Sequence, residues 1–361
     1  MATPRTTRPR LRPARLGVVA VLVVALLSPV RPVARVAPVG AVSAAPDRLA
    51  DPPPGSPAER VNGRQVLAVS LDGFNVQALA RLGRARTPVL HRLLRQGAAT
   101  RNARTQVELT VTLPNHTSMV TGRRIDADAG GHGVDWNGHR PDATVQRAAG
   151  RPTASVFSVV HDATGRTALF ATEEKLTLLE RSWTHDIDRV VVRQDDDRAV
   201  VRAARRDLLR RDRSFTFVHL GLLDETGHEH GWLSRPYLRA VTRMDRLLGS
   251  LLRGAGSDRR LADLVVVLTA DHGGAAGEHH HDDPLRRANH RVPFVLWGRG
   301  VRRGDLYRMN PAYADPGRGR PGFGGTQPVR NGDLANVATD LLGLGPVPGS
   351  RWNKHQRLRW R

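Results

Sequence analysis

The sequence predicts an α/β protein with a mostly parallel central sheet, on three observations. Short apolar runs recur that are continuous rather than alternating, as in strands buried on both faces. Helical stretches with recognisable start and stop residues lie between several of them. Some of the runs lead into Asp, at the edge where open α/β sheets bind ligands.

In chain order, Val66 to Leu71 is the first run and ends at Asp72-Gly73. Thr87-Pro88 then opens a helix that closes at Gly97, with Thr as N-cap, Pro at the first helical position and Gly past the end. Further strands are expected at Ala168 to Ala171, Phe215 to Leu220, Leu264 to Thr269 and Val292 to Trp297. Helices are expected at Tyr237 to Leu252 and Leu334 to Leu342. Arg302 to Arg330, dense in Gly and Pro, reads as a long loop, and no internal repeat is visible.

The ends read differently. Residues 1–44 have the three parts of a signal peptide: an Arg-rich start, an apolar run from Leu16 to Leu27, and small residues at Val42-Ser43-Ala44. That run is short for a stable membrane span, so a secreted or extracytoplasmic protein is expected, with retention at the cell envelope as the variant. Residues 45–61 form a Pro-rich linker, 62–349 the catalytic domain, and 350–361 a basic tail expected to fray.

A net charge of +22 invites a nucleic-acid reading, yet only Lys175 and Lys354 among the 56 Lys and Arg residues are lysines. Seven of the arginines precede residue 45, where there is no acid, and the others are scattered rather than grouped. No specific nucleic-acid partner is expected. With no Cys in the chain, a metal must be held by His and carboxylate.

Those donors are present. Asp72 and Asp271 follow two of the strands, and a third leads through Gly221 to Asp224. Asp224 and His228 stand four apart, facing the same way on a helical turn, and their oxygen and nitrogen suit zinc. Asp271-His272 precedes two glycines that let backbone approach a crowded centre. One more His is needed for a two-zinc site, and His279, His281 and His290 are the candidates. Thr112 lies just before Pro114, at the start of a helix whose free amides and dipole favour an alkoxide and a bound phosphate. Metal coordination is what makes such a hydroxyl nucleophilic.

In order, Leu71-Asp72-Gly73-Phe74, Thr112-Leu113-Pro114-Asn115-His116, His132-Gly133-Val134-Asp135-Trp136-Asn137, Asp224 with His228, and Asp271-His272-Gly273 resemble the nucleotide pyrophosphatase/phosphodiesterase family of the alkaline phosphatase superfamily. The resemblance runs from about Val66 to Gly349. It implies an alkaline phosphatase-like three-layer α/β/α fold and two Zn2+ per chain. One zinc falls to Asp224, His228 and either His279 or His281, the other to Asp72, Thr112, Asp271 and His272. Asn137 is implied to donate its amide to a phosphate oxygen, and Thr112 to form a phosphothreonine intermediate. The expected partner is a small-molecule phosphate ester, cleaved as a phosphodiester. A phosphomonoesterase or phosphonate hydrolase on the same site is the alternative, with Lys175 and Arg181 as groups that could reach a dianionic substrate. An exported polyanion-binding protein without activity is the alternative of another class. The sequence leaves the oligomeric state open.

Overall fold

The structure is a computed structural model that describes residues 60–361. The expected signal peptide and nearly all of the linker lie outside the described residues. The described part contains one eight-stranded sheet: β1 (Gln65–Leu71), β2 (Ala98–Arg104), β3 (Thr167–Ala171), β4 (Arg189–Val192), β5 (Phe215–Leu220), β6 (Leu264–Thr269), β7 (Arg291–Gly298) and β8 (Gly304–Asp305). Their order across the sheet is β4-β3-β5-β1-β6-β7-β2-β8. Every neighbouring pair is parallel except those that β7 makes with β6 and β2.

The five expected strands are present, and burial explains why they read as continuous apolar runs: every residue of β1, β3, β5 and β6 is buried. Three strands escaped the sequence reading. β2 (AATRNAR) carries Arg and Asn and shifts register between Thr100 and Ala103, β4 is four residues long, and β8 is two. The helices form two groups. Gln77–Arg86, Pro88–Gln96, Asp197–Arg210 and Leu222–His230 all pack against Arg235–Leu251, whereas Thr112–Thr121, Val156–Asp162 and Leu334–Leu341 pack on one another. The result is an α/β fold of the expected class.

Two local expectations are corrected. Thr87 precedes the helix Pro88–Gln96, but its hydroxyl turns back to the Gly83 carbonyl. The free Val89 and Leu90 amides are instead taken by the Asp245 carboxylate, 3.1 and 2.7 Å away on another helix. The residues after Gly349 do not fray, because their aromatic and aliphatic side chains outweigh their charge. Trp352, Leu358 and Trp360 are buried, and Trp360 Nε1 donates to Asp340 Oδ2 at 2.7 Å.

Candidate active site

The four central strands β3, β5, β1 and β6 run in one direction, so their C-terminal ends meet at one edge. Asp72 follows β1, Asp224 lies in the helix after β5, and Asp271 and His272 follow β6. Gly73 permits the approach. It has φ +66°, and a Cβ there would stand 2.8 Å from the Asp224 Cα.

Among the groups of acids and imidazoles whose ligand atoms lie within 4.8 Å of one another, two join the motif residues: Asp72 with Asp271 and His272, and Asp224 with His228 and His281. His272 Nε2 stands between the two groups, 3.2 Å from Asp72 Oδ1, 3.2 Å from Asp271 Oδ2 and 3.7 Å from Asp224 Oδ1. In the second group His228 and His281 Nε2 are 3.4 and 3.6 Å from the Asp224 carboxylate, and the His272 and His281 rings stack at 3.5 Å. Each Nδ1 outside the first group is anchored on backbone, His228 to His279 O and His281 to Thr110 O, both at 2.7 Å. These contacts leave both Nε2 atoms turned toward Asp224.

Of the three histidines left open by the sequence, His281 is brought to the acids and the other two are not. The His279 Nδ1 bonds the His228 carbonyl at 2.7 Å, and the His290 Nδ1 bonds Pro284 O at 2.9 Å. His279 is thus not among the residues whose ligand atoms converge with Asp224 and His228. It lies against the backbone of His228, two residues from His281 on an exposed turn.

Thr112 is the first residue of the helix Thr112–Thr121 and follows an extended Val111. Its hydroxyl is buried and has no hydrogen-bond partner. The Asn137 side-chain oxygen accepts from Leu113 N at 2.9 Å, tying the loop that carries it to the start of this helix, and its amide nitrogen remains available as a donor. His132, in the same motif, packs rather than faces the acids: its Nε2 pairs with Ser118 Oγ and its Nδ1 accepts from Val134 N. Asn115 is completely buried, with its amide bonded to the Leu109 and Val111 carbonyls. The glycines after His272 approach the Ala288 carbonyl and the Trp232 ring, not the acids.

Charge in this cluster is unbalanced. Burial raises the Asp72 carboxyl, but the hydrogen bond from His219 and the close approach of the His272 imidazole overcome it and hold the group well below the usual range. Burial and the Asp72 charge push Asp271 well above that range. His272 is pushed up to about 10: burial opposes its charge, and Asp271 with Asp72 and Asp224 overrides that. Burial, with His272 nearby, pushes His281 down to about 3, which keeps its ring neutral as a ligand must be. Thr112 Oγ1, Asp72 Oδ1, Asp224 Oδ1, Asp271 Oδ2 and His272 Nε2 are all buried without a hydrogen-bond partner, where polar groups are ordinarily satisfied. Convergent acids with orphaned atoms are a donor set for cations, and Asp oxygen with His nitrogen fits zinc.

Two site neighbours were missed in the sequence. His219, within the apolar run of β5, gives its Nε2 to Asp72 Oδ2 at 2.8 Å. Glu173, just past β3, lies with Asp72 and Asp224 in a third group of ligand atoms within 4.8 Å.

Comparison with known proteins agrees with this geometry. The family model described as type I phosphodiesterase / nucleotide pyrophosphatase matches residues 66–146 and 135–321. Murine ectonucleotide pyrophosphatase / phosphodiesterase 5 superposes with a TM-score of 0.62 at 16% identity, over 82% of this chain and 100% of that one. A 2-O GAG sulfatase superposes with 0.54 at 11% identity, over 80% of this chain and 72% of that one. Both likenesses concern the fold.

Among curated proteins, GPI ethanolamine phosphate transferase 1 of Chaetomium globosum is 36% identical over 115 residues, 31% of this chain and 12% of that protein. Its counterpart in Gibberella zeae is 28% identical over 211 residues, 55% of this chain and 21% of that protein. The chain thus matches only a small part of these relatives. They also overturn the expected secreted or extracytoplasmic localisation, since the relatives are named as GPI ethanolamine phosphate transferases. No helix among the described residues is long and apolar enough to cross a membrane. On the extent of the family match, and on a sheet edge that gathers the motif residues, this chain belongs to the type I phosphodiesterase / nucleotide pyrophosphatase family.

Proposed function

We propose that this protein is a two-zinc phosphodiesterase in which Thr112 is the nucleophile. One observation carries the reading: three Asp carboxylates, His272 and the Thr112 hydroxyl are buried together with unpartnered atoms, an arrangement that costs free energy unless cations occupy it. Asp72, Asp271, His272 and Thr112 would hold one zinc, and Asp224, His228 and His281 the other. When bound, the two ions supply Lewis acidity, lowering the pKa of the threonine hydroxyl and stabilising the leaving oxygen. The chain's own residues do the rest. Thr112 attacks phosphorus in line from the start of its helix, whose free amides favour the entering negative charge. Asn137, fixed through Leu113 N, offers its amide to a non-bridging oxygen. The leaving alkoxide departs, and water then cleaves the phosphothreonine.

A second reading keeps the first step and changes the acceptor. The curated relatives are named as transferases, so an alcohol in place of water would make this chain a phosphoryl-group transferase.

The test is kcat/KM of the zinc-loaded protein on bis(p-nitrophenyl) phosphate, alone and with an added alcohol. Hydrolysis that falls by about a thousandfold or more in Thr112→Ala, with zinc retained, is the expected result. Unchanged activity in that variant removes Thr112 from the mechanism, and product captured on the alcohol in preference to water favours the transferase.

A further inference from the structure

The chain spends arginine almost everywhere a cation is used; Lys175 and Lys354 are its only lysines. Lys354 is exposed near the C-terminus. Lys175 is not. It follows β3 in the turn Glu174–Leu176, its side chain is 16% exposed, and its Nζ lies 2.9 Å from Glu173 Oε2, on a side chain 14% exposed. Glu173 in turn shares a group with Asp72 and Asp224. An acid that adjoins the site's own acids thus carries an ammonium to the rim of the site. Arg181, the other cation that the sequence offered, is committed elsewhere, to the Arg140 and Ala143 carbonyls and to Thr177 Oγ1.

The choice of lysine has a physical reading. An ammonium is a compact point charge with three rotatable donors, whereas a guanidinium needs a planar fork of acceptors. One N–H directed at Glu173 leaves two donors for a ligand. Four carboxylates, Asp72, Asp224, Asp271 and Glu173, oppose two divalent cations in the occupied site. Lys175 then offsets the charge of the ionised Thr112 oxygen, and its attraction for a ligand rises with that ligand's negative charge.

We propose that Lys175, positioned by Glu173, binds the phosphoryl oxygens and strengthens the site's hold on a dianionic phosphate, that of inorganic phosphate or of a terminal monoester, more than its hold on the monoanion of a diester. This rests on the two-zinc reading of the site. It assigns Lys175 to substrate contact and Glu173 to positioning.

The experiment compares zinc-loaded wild type, Lys175→Ala, Lys175→Arg and Glu173→Gln. Zinc content, the Kd for inorganic phosphate by calorimetry, and kcat/KM on p-nitrophenyl phosphate and bis(p-nitrophenyl) phosphate are measured. In Lys175→Ala two zincs should remain, phosphate should bind about tenfold or more weakly, and the monoester should lose by the same factor while the diester loses less than about threefold. Lys175→Arg and Glu173→Gln should fall between. Phosphate binding unchanged in Lys175→Ala overturns the inference, as do equal losses on the two esters or a loss of zinc. The two readings fail separately. If wild type cleaves neither ester yet binds phosphate through Lys175, the reaction falls and this inference stands; an active enzyme whose phosphate affinity ignores Lys175 gives the reverse.

Discussion

His279 and His281 stand two residues apart, and what separates them is where each ring is tied. The His281 Nδ1 is fixed on Thr110 O, which leaves Nε2 for Asp224 and a cation, whereas the His279 ring leans on the His228 carbonyl. His279 serves His228 through its own backbone oxygen, which any side chain retains. His281→Ala should therefore lower the zinc content from two towards one per chain, while His279→Ala keeps both, as read by atomic absorption after exhaustive dialysis. Equal losses would place His279 back in the ligand set. Most of this site was legible because its residues come in local runs, such as Asp224 with His228 and Asp271-His272, whose spacing carries the chemistry. His219 was not. A single His inside Phe215–Leu220 has no spacing partner, and its bond to Asp72 joins residues 147 positions apart. Glu173 was hidden for the same reason. The usable signal in each case was a polar residue in or just after an otherwise buried run.

Among elements, the turn after β1 is the most exacting. Gly73 is left-handed at φ +66° and leaves no room for a Cβ beside Asp224, so the β1 turn and the helix Leu222–His230 approach only through it. Gly83 has the same φ with open space around it. The pair separates strain from crowding. Gly83→Ala should cost about 1–3 kcal/mol with zinc affinity intact, and Gly73→Ala should in addition weaken zinc about tenfold or more. Denaturant unfolding and zinc competition with a chelator read the two effects, and equal zinc affinity in both variants would sink the argument. The same contrast between local and distant causes explains which elements the sequence revealed. Strands buried on both faces announce themselves by composition. β2 does not, because its Arg and Asn residues are placed by β7 and by a register shift rather than by their own propensity. The cap on Pro88–Gln96 was missed likewise, since Asp245 reaches it from about 155 residues away in sequence.

For the whole molecule, the cation site couples stability to pH. Above pH 7 the histidines pushed down by burial, His116, His132, His281 and His290, are neutral in folded and unfolded chains and give no slope. His272, raised to about 10, keeps its proton in the metal-free fold and loses it on unfolding. A raised folded pKa gives stability that is full below the unfolded value and is lost as pH rises, so the metal-free fold weakens from pH 7 to 8.5. Zinc displaces that proton and removes its share of the slope. The gap in Tm between zinc-loaded and chelator-treated protein should therefore widen over that interval, measured by calorimetry at matched ionic strength; a constant gap would mean that the proton and the cation do not compete. Outside the site, the Arg64 guanidinium at the start of β1 lies 5.3 Å from the Trp360 ring, and Arg302 N donates to Trp360 O. Both ends of the described fold are thus moored together, on the side where the central strand begins and away from the chemistry. A fold with adjoining ends can be spliced into a longer polypeptide, or rewired as a circular permutant opened in the exposed Gly322–Gly325 stretch, without stretching any strand across the reacting edge.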